Sequence, residues 1–221
     1  MPRGIFVSFE GSEGCGKSTQ IRILADRLKA AGQGVLLTRE PGGTEIGEHL
    51  RQLLQFSKAG QAMAPETELL LFTASRAQLV REVILPALAE GRAVLADRFL
   101  DSTTVYQGVA RKLDAAAVAA INRFAVGDTL PDITFVLDLE PSVARERLRQ
   151  RHATTPDRME NQPAAFYDAV RAGYQSLARD QPHRVRLLDA SGTVDDLGER
   201  IWRQVTSIWP RRVPTSTGGG V

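Results

Sequence analysis

The stretch that most constrains the fold is Gly11-Ser12-Glu13-Gly14-Cys15-Gly16-Lys17-Ser18, spaced G-x-x-x-x-G-K-S and continued by Thr19. Glycines at positions 11, 14 and 16 allow backbone conformations closed to residues with a Cβ and let successive N–H groups face phosphate oxygens. Lys17 adds a point charge. The Ser18 hydroxyl is placed to reach Mg²⁺ at the start of a helix whose positive end favours anions. This pattern carries its meaning only with a strand before it and a helix after it. Ile5 to Phe9 supply a nearly continuous apolar run of the kind a buried parallel sheet requires. Ile21, Leu24, Ala25, Leu28 and Ala31 then recur at helical spacing until Gly32 to Gly34. Gly11 to Thr19 therefore read as a phosphate-binding loop inside a strand–helix unit rather than as a chance glycine turn.

The same alternation continues. Val35 to Thr38 form a second apolar run, stopped by Pro41, Gly42 and Gly43. Thr44 can cap a helix carrying Ile46, Leu50, Leu53 and Leu54, with Glu45 and Glu48 in its first turn. Pro65 opens a long amphipathic helix that runs to Gly91, and Arg92 to Ala96 give a third strand ending in Asp97-Arg98. A carboxylate at the carboxyl end of a parallel strand lies where open α/β sheets bind ligands, so Asp97 joins Ser18 as a candidate metal ligand. A helix over 114–126, a strand over Ile133 to Asp138, a helix from Pro141, a strand over Val185 to Leu188 and a closing helix from Val194 to Ile208 complete the pattern. It predicts an α/β fold with a five-stranded parallel sheet and helices on both faces, one domain over residues 1–209. Arg145 to Arg158 read as a mobile, arginine-rich surface loop, with a lid at about 149–160, and residues 210–221 as a disordered tail.

Composition narrows the function classes. The formal net charge is +2, which Arg211 and Arg212 alone account for, so charge gives no case for nucleic acid. No run of about eighteen apolar residues and no leader pattern occurs, which predicts a cytoplasmic protein without a membrane partner. The single cysteine, Cys15, cannot form an internal disulfide. Its place near a helix N-terminus favours a lowered thiol pKa, whereas a small residue filling a loop position needs no reactivity.

Three further stretches carry a resemblance. Thr38-Arg39-Glu40-Pro41-Gly42-Gly43-Thr44, then Asp97-Arg98-Phe99 with Ser102-Thr103 and Tyr106-Gln107-Gly108, and finally Asp157-Arg158-Met159-Glu160 resemble the bacterial thymidylate kinases in order and spacing, over residues 4–208. The resemblance implies a P-loop kinase fold with an arginine-rich lid, a homodimer, and transfer of the ATP γ-phosphate to dTMP with Mg²⁺, on the route to dTTP. It implies Phe72 as the ring under thymine and Arg76 at the base edge. Positions four apart do share a helix face, and a donor-only guanidinium suits thymine O4 and opposes the amino group of cytosine. It further implies Thr103 facing the base, Tyr106 crowding the sugar 2′ position, and Gln107 beside them. Arg39 and Arg98 would hold the monophosphate, as guanidinium forks suit a dianion. Glu13 would contact the sugar 3′-OH and, through water, the metal.

Lys17, Arg98, Glu13 and Arg151 make up the implied catalytic set. The loop's variable positions, Ser12, Glu13, Gly14 and Cys15, include no arginine, and the resemblance implies that members without one there supply the cation at the transferred phosphoryl group from the lid. Arg151 is the choice for that contact with Arg149 as partial cover, and Arg147 is assigned to the adenine side. Arg39 must also turn out of a strand end within two residues, which with the family's proline predicts a cis Glu40-Pro41 peptide. Two departures stand out: Gly108-Val109-Ala110-Arg111 replaces a more glycine-rich run, and the arginine loop is two residues longer than the family pattern. Two rival readings are a kinase of another nucleoside monophosphate, against which Phe72, Arg76 and Tyr106 discriminate, and a nucleotide-dependent switch, which would hydrolyse ATP without an acceptor.

Overall fold

The computed structural model describes residues 3–57, 60, 62–150, 158 and 162–209. Five strands, β1 (Phe6–Glu10), β2 (Val35–Arg39), β3 (Ala93–Asp97), β4 (Ile133–Asp138) and β5 (Val185–Asp189), form one parallel sheet in the order β2-β3-β1-β4-β5. The expected five-stranded parallel sheet is therefore found. β1 and β3 end one residue later than their apolar runs suggest, because Glu10 and Asp97 still pair in the ladder opposite Val136 and Arg39. Register places Phe9 opposite Asp97, so the phosphate loop and the Asp97-Arg98 pair leave the sheet side by side.

Alternation along the strands assigns the two faces. Val7, Phe9, Leu95, Phe135 and Leu137 point to the side covered by α1 (Lys17–Ala30) and α9 (Val194–Ile208). Phe6, Val94 and Ala96 point to the other side, against α3 (Pro65–Leu79), α4 (Leu85–Ala89) and α6 (Ala115–Val126). β1 is central and all five of its residues are buried, which is why its sequence reads as a continuous apolar run broken only by Ser8 and Glu10. Ser8 is satisfied by the Thr134 hydroxyl at 2.7 Å.

Several elements depart from the sequence pattern. α2 (Glu45–Arg51), capped by Thr44 as expected, runs on through a π-helical turn at Gln52–Phe56. The helix from Pro65 passes through another at Val80–Ile84, and α5 (Leu100–Thr103) widens into a third at Thr104–Ala110. α7 (Pro141–Gln150) absorbs Arg145 to Gln150, so this part of the expected loop is helical. Residues 151–157 and 159–161, with Arg151, and the tail 210–221 lie outside the described residues. α8 (Ala164–Asp180) has no counterpart in the sequence reading, although Phe166, Val170, Tyr174 and Leu177 recur at helical spacing and pack with Val136, Val185, Val105 and Tyr106.

Candidate active site

The phosphate loop takes its shape from its glycines. Gly11, Gly14 and Gly16 have φ of 128°, 78° and 102°, all in the region that side chains disfavour. At Gly14 the constraint is also one of space, since a Cβ would stand 2.5 Å from the Ala144 carbonyl of α7. Gly16 opens α1 without any side-chain cap, which leaves the first-turn N–H groups for an anion. Lys17 folds back over the loop, donating to the carbonyls of Gly11 (3.2 Å) and Ser12 (2.9 Å). The Ser18 hydroxyl donates to Asp97 at 3.0 Å. Cys15 is buried, and burial pushes its thiol up, so it fills space and is not a reactive thiolate.

Arg98 follows β3 in a left-handed conformation, φ 72°, uncommon for a residue with a side chain. That turn swings its guanidinium to Glu13, 2.5 Å away, and over the Tyr106 ring at 5.1 Å. Glu13 also lies 3.9 Å from the Lys17 ammonium. Burial alone would raise the Glu13 carboxyl, but Lys17 and Arg98 outweigh it and hold it at about 2. One carboxylate thus joins the loop lysine to the arginine beyond β3.

Beside them opens a cleft of about 390 Å³, including the part open to solvent. Glu13, Phe72, Arg98, Thr103, Tyr106 and Gln107, all expected from the sequence, line it together with Pro41, Gln55 and Ser102. The Glu40-Pro41 peptide is cis, as expected. Gln107 donates to the buried Glu68 at 2.7 Å. Glu68 also pairs with Arg158 at 2.6 Å, and Arg158 Nε donates to the Leu54 carbonyl.

Two expected residues do not line the cleft. Arg76 is 1% exposed and sits one hydrogen bond behind the wall: it donates to Thr103 Oγ1 (2.9 Å), Glu40 (2.8 Å), Asn122 (2.8 Å) and the Phe99 carbonyl (3.3 Å). Its spacing from Phe72 predicts the face correctly but not the depth. Burial pushes the Glu40 carboxyl up to about 7 even against Arg76. Arg39 is exposed and held by Glu48, whose two oxygens both accept from Arg39 Nη2 at 2.9 Å.

A second cavity, about 800 Å³ including the part open to solvent, lies between the phosphate loop and α7 and is bordered by Ser12, Glu13, Ala144 and Arg145. Arg145 is therefore the described α7 arginine that faces the loop. Arg147 points instead to the Ala190 carbonyl after β5 (3.4 Å), and Arg149 pairs with Glu146 (3.5 Å) on the exposed side. Sequence reasoning assigned no role to Glu10, Arg51 or Tyr174. Glu10 is buried behind Arg98, where burial and Asp101 push its carboxyl up against the opposing pull of Arg98. Arg51 donates to the Pro41 carbonyl at 3.0 Å and adds positive charge near Glu13.

The family model "Thymidylate kinase" matches residues 9–201. The thymidylate kinase of Syntrophotalea carbinolica is 47% identical over 201 residues, covering 89% of this chain and 93% of that protein. That of Pseudomonas syringae pv. syringae is 48% identical over 194 residues, covering 88% and 91%. Among solved structures, thymidylate kinase from Ehrlichia chaffeensis superposes with a TM-score of 0.74 at 32% identity, over 93% of this chain and 99% of that one. With a family model spanning most of the chain, relatives near half identity and the same fold, the chain belongs to the thymidylate kinase family.

Proposed function

We propose that the protein transfers the γ-phosphate of ATP to the 5′-phosphate of dTMP, giving ADP and dTDP, with the residues above in the following roles. The observation that carries the reading is the bridge made by Glu13: it touches Arg98 and approaches Lys17, so a donor phosphate on the loop and an acceptor phosphate on Arg98 meet at one point. Gly11 to Thr19 hold the ATP phosphates through backbone N–H groups and Lys17. Arg98, with Arg39 released from Glu48, holds the acceptor phosphate. An oxygen of that phosphate, already ionised at neutral pH, attacks the γ-phosphorus while the bond to the β-bridging oxygen breaks, so no general base is needed. Arg145, and Arg151 beyond the described residues, supply cations over the transferred group.

Ser18 and Asp97 offer hard oxygen ligands suited to Mg²⁺, and among the described residues no cluster of three or more His, Cys, Asp or Glu could hold a metal by itself, which fits an ion carried on the nucleotide. Such an ion would neutralise charge on the phosphates during transfer. Phe72 stacks under thymine, the Thr103 hydroxyl, oriented from behind by Arg76, donates to O4, and Tyr106 closes the sugar side. We place the protein in the cytoplasm, since a single cysteine that cannot form an internal disulfide suits a reducing compartment.

A coupled assay over dTMP, dUMP, dCMP, CMP, GMP and AMP tests the reading. dTMP is expected to be preferred, with dUMP down about tenfold for its missing methyl. dCMP is expected to fall about a hundredfold, because its amino group meets the Thr103 hydroxyl, which already accepts from Arg76 and so turns its proton to the cleft, setting donor against donor. Equal kcat/KM for dCMP and dTMP would remove Arg76 from this role, and ATP hydrolysis independent of any monophosphate would replace the kinase with a switch.

An apolar groove between α3 and α6, lined by Leu70, Ala74, Ala77, Ala120, Ile121 and Phe124, supports the homodimer. Phe124 is 88% exposed, unusual for a ring of that size unless it is covered by a partner. Light scattering is expected to give a dimer for the wild type and a monomer for Phe124→Asp. A monomeric wild type at about 10 μM would rule the groove out as a stable self-association surface.

A further inference from the structure

We infer that Glu10 is a positioning residue for Arg98: by accepting hydrogen bonds from the Ser102 and Tyr174 hydroxyls it leaves both facing Arg98 as acceptors and so aims the guanidinium at the acceptor phosphate. The inference rests on the proposed role of Arg98.

Glu10 ends β1 with no exposed surface and cannot touch substrate. One of its oxygens accepts the Phe99 N–H at 2.8 Å. The other accepts the Ser102 hydroxyl at 2.6 Å and the Tyr174 hydroxyl at 2.7 Å. A carboxylate has no proton to give, and each hydroxyl has only one. Once those protons point at Glu10, the hydroxyls face outward with lone pairs. Arg98 Nη1 is what they meet, donating to Ser102 at 3.0 Å and to Tyr174 at 3.4 Å. With that arm fixed, Nη2 is left at the cleft, on Glu13 and the Tyr106 hydroxyl (3.3 Å). The direct Arg98–Glu10 separation is 4.0 Å, so the hydroxyls carry the connection. Through Phe99 N–H the same carboxylate also pins the residue that follows the left-handed Arg98.

The relay explains why a carboxylate stands there and not an amide of the same shape. Glutamine could still accept the Phe99 N–H, but its NH₂ would donate to Ser102 and Tyr174. The Ser102 and Tyr174 hydroxyls lie 3.1 Å apart, so one could donate to the other, but the remaining proton would turn toward Arg98, setting donor against donor.

The test compares Glu10→Gln with wild type in three readouts: KM for dTMP, KM for ATP, and competitive inhibition by thymidine, which fills the same cleft without a phosphate. KM for dTMP is expected to rise about tenfold, as for one charge-assisted contact misaligned, with ATP and thymidine constants within about twofold. General damage to the cleft would weaken thymidine as much as dTMP, and that result overturns the relay. Arg98→Ala run alongside separates the layers. If it weakens dTMP while Glu10→Gln does not, the relay alone is wrong; if Arg98→Ala leaves dTMP unaffected, the acceptor role of Arg98 falls and the relay with it. Should Glu10→Gln not fold, the Ser102→Ala/Tyr174→Phe double variant removes both relay hydroxyls and carries the same expectation, and an unchanged KM for dTMP in that variant overturns the inference.

Discussion

Lys17→Met is expected to lower kcat by about a thousandfold while leaving the protein folded. The ammonium is buried against the Gly11 and Ser12 carbonyls, so its position is set before nucleotide arrives. A preorganised charge of this kind acts where negative charge migrates during transfer, and removing one such group typically costs about 10²–10³ in kcat. Methionine keeps the length and most of the apolar stem, so packing at the start of α1 changes little. Steady-state kinetics with saturating dTMP, together with a thermal melt, checks both halves. A kcat within tenfold of wild type would mean that the loop N–H groups and other cations carry the nucleotide without it.

The second large effect is expected at Arg98. Its guanidinium is the described cation shared by the cleft and the phosphate loop, and its left-handed backbone holds it in place against an intrinsic cost of about 1–3 kcal/mol. Two charge-assisted hydrogen bonds to a phosphate are together worth about 4 kcal/mol, so Arg98→Ala is expected to reduce kcat/KM for dTMP by about a thousandfold. The loss should fall mainly on KM, about a hundredfold, with about tenfold on kcat from a misplaced nucleophile. Arg98→Lys should recover only part of it, since an ammonium cannot form the fork. Unchanged KM for dTMP in the alanine variant would move the acceptor phosphate to Arg39 and Arg51.

Acidification offers a smaller, independent check on Glu13. Its folded pKa, about 2, lies below the ordinary 4.5, so the carboxylate stabilises the fold above pH 4.5 and that contribution is lost as pH falls toward 2. Acid unfolding of Glu13→Gln should show a shallower pH dependence than wild type across that window. Identical slopes would show that Glu13 gains nothing from Lys17 and Arg98.

What the sequence makes legible follows from how local each constraint is. The phosphate loop is readable because every fixed residue answers to backbone geometry or phosphate charge within eight positions, and the central strands β1, β3 and β4 because strands buried on both faces read as near-continuous apolar runs. Cleft residues such as Phe72, Thr103, Tyr106 and Gln107 come from motif resemblance, and the structure brings them together. Depth is another matter. Helical spacing puts Arg76 on the face of Phe72, yet only the packing of α3 against α5 and α6 sinks its guanidinium among Glu40, Thr103 and Asn122. Glu10 and Tyr174 are 164 residues apart and meet only in the fold, so neither has a local signal. α8 is different: its apolar stripe was present in the sequence and was obscured by the arginine-rich stretch before it.

The contact between Gly14 and α7 bears on how this enzyme can change over evolutionary time. Moving a catalytic cation into the phosphate loop would need a free variable position, and the candidates are few. Cys15 is buried and Glu13 already joins Arg98 to Lys17. At Gly14 any side chain would begin 2.5 Å from the Ala144 carbonyl, in a backbone conformation that disfavours one. An arginine there could be accommodated only after α7 had retreated, which would displace Arg145 from the cavity over the loop. The gain of one cation at Gly14 is thereby tied to the displacement of another, so no single substitution at that position relocates the charge.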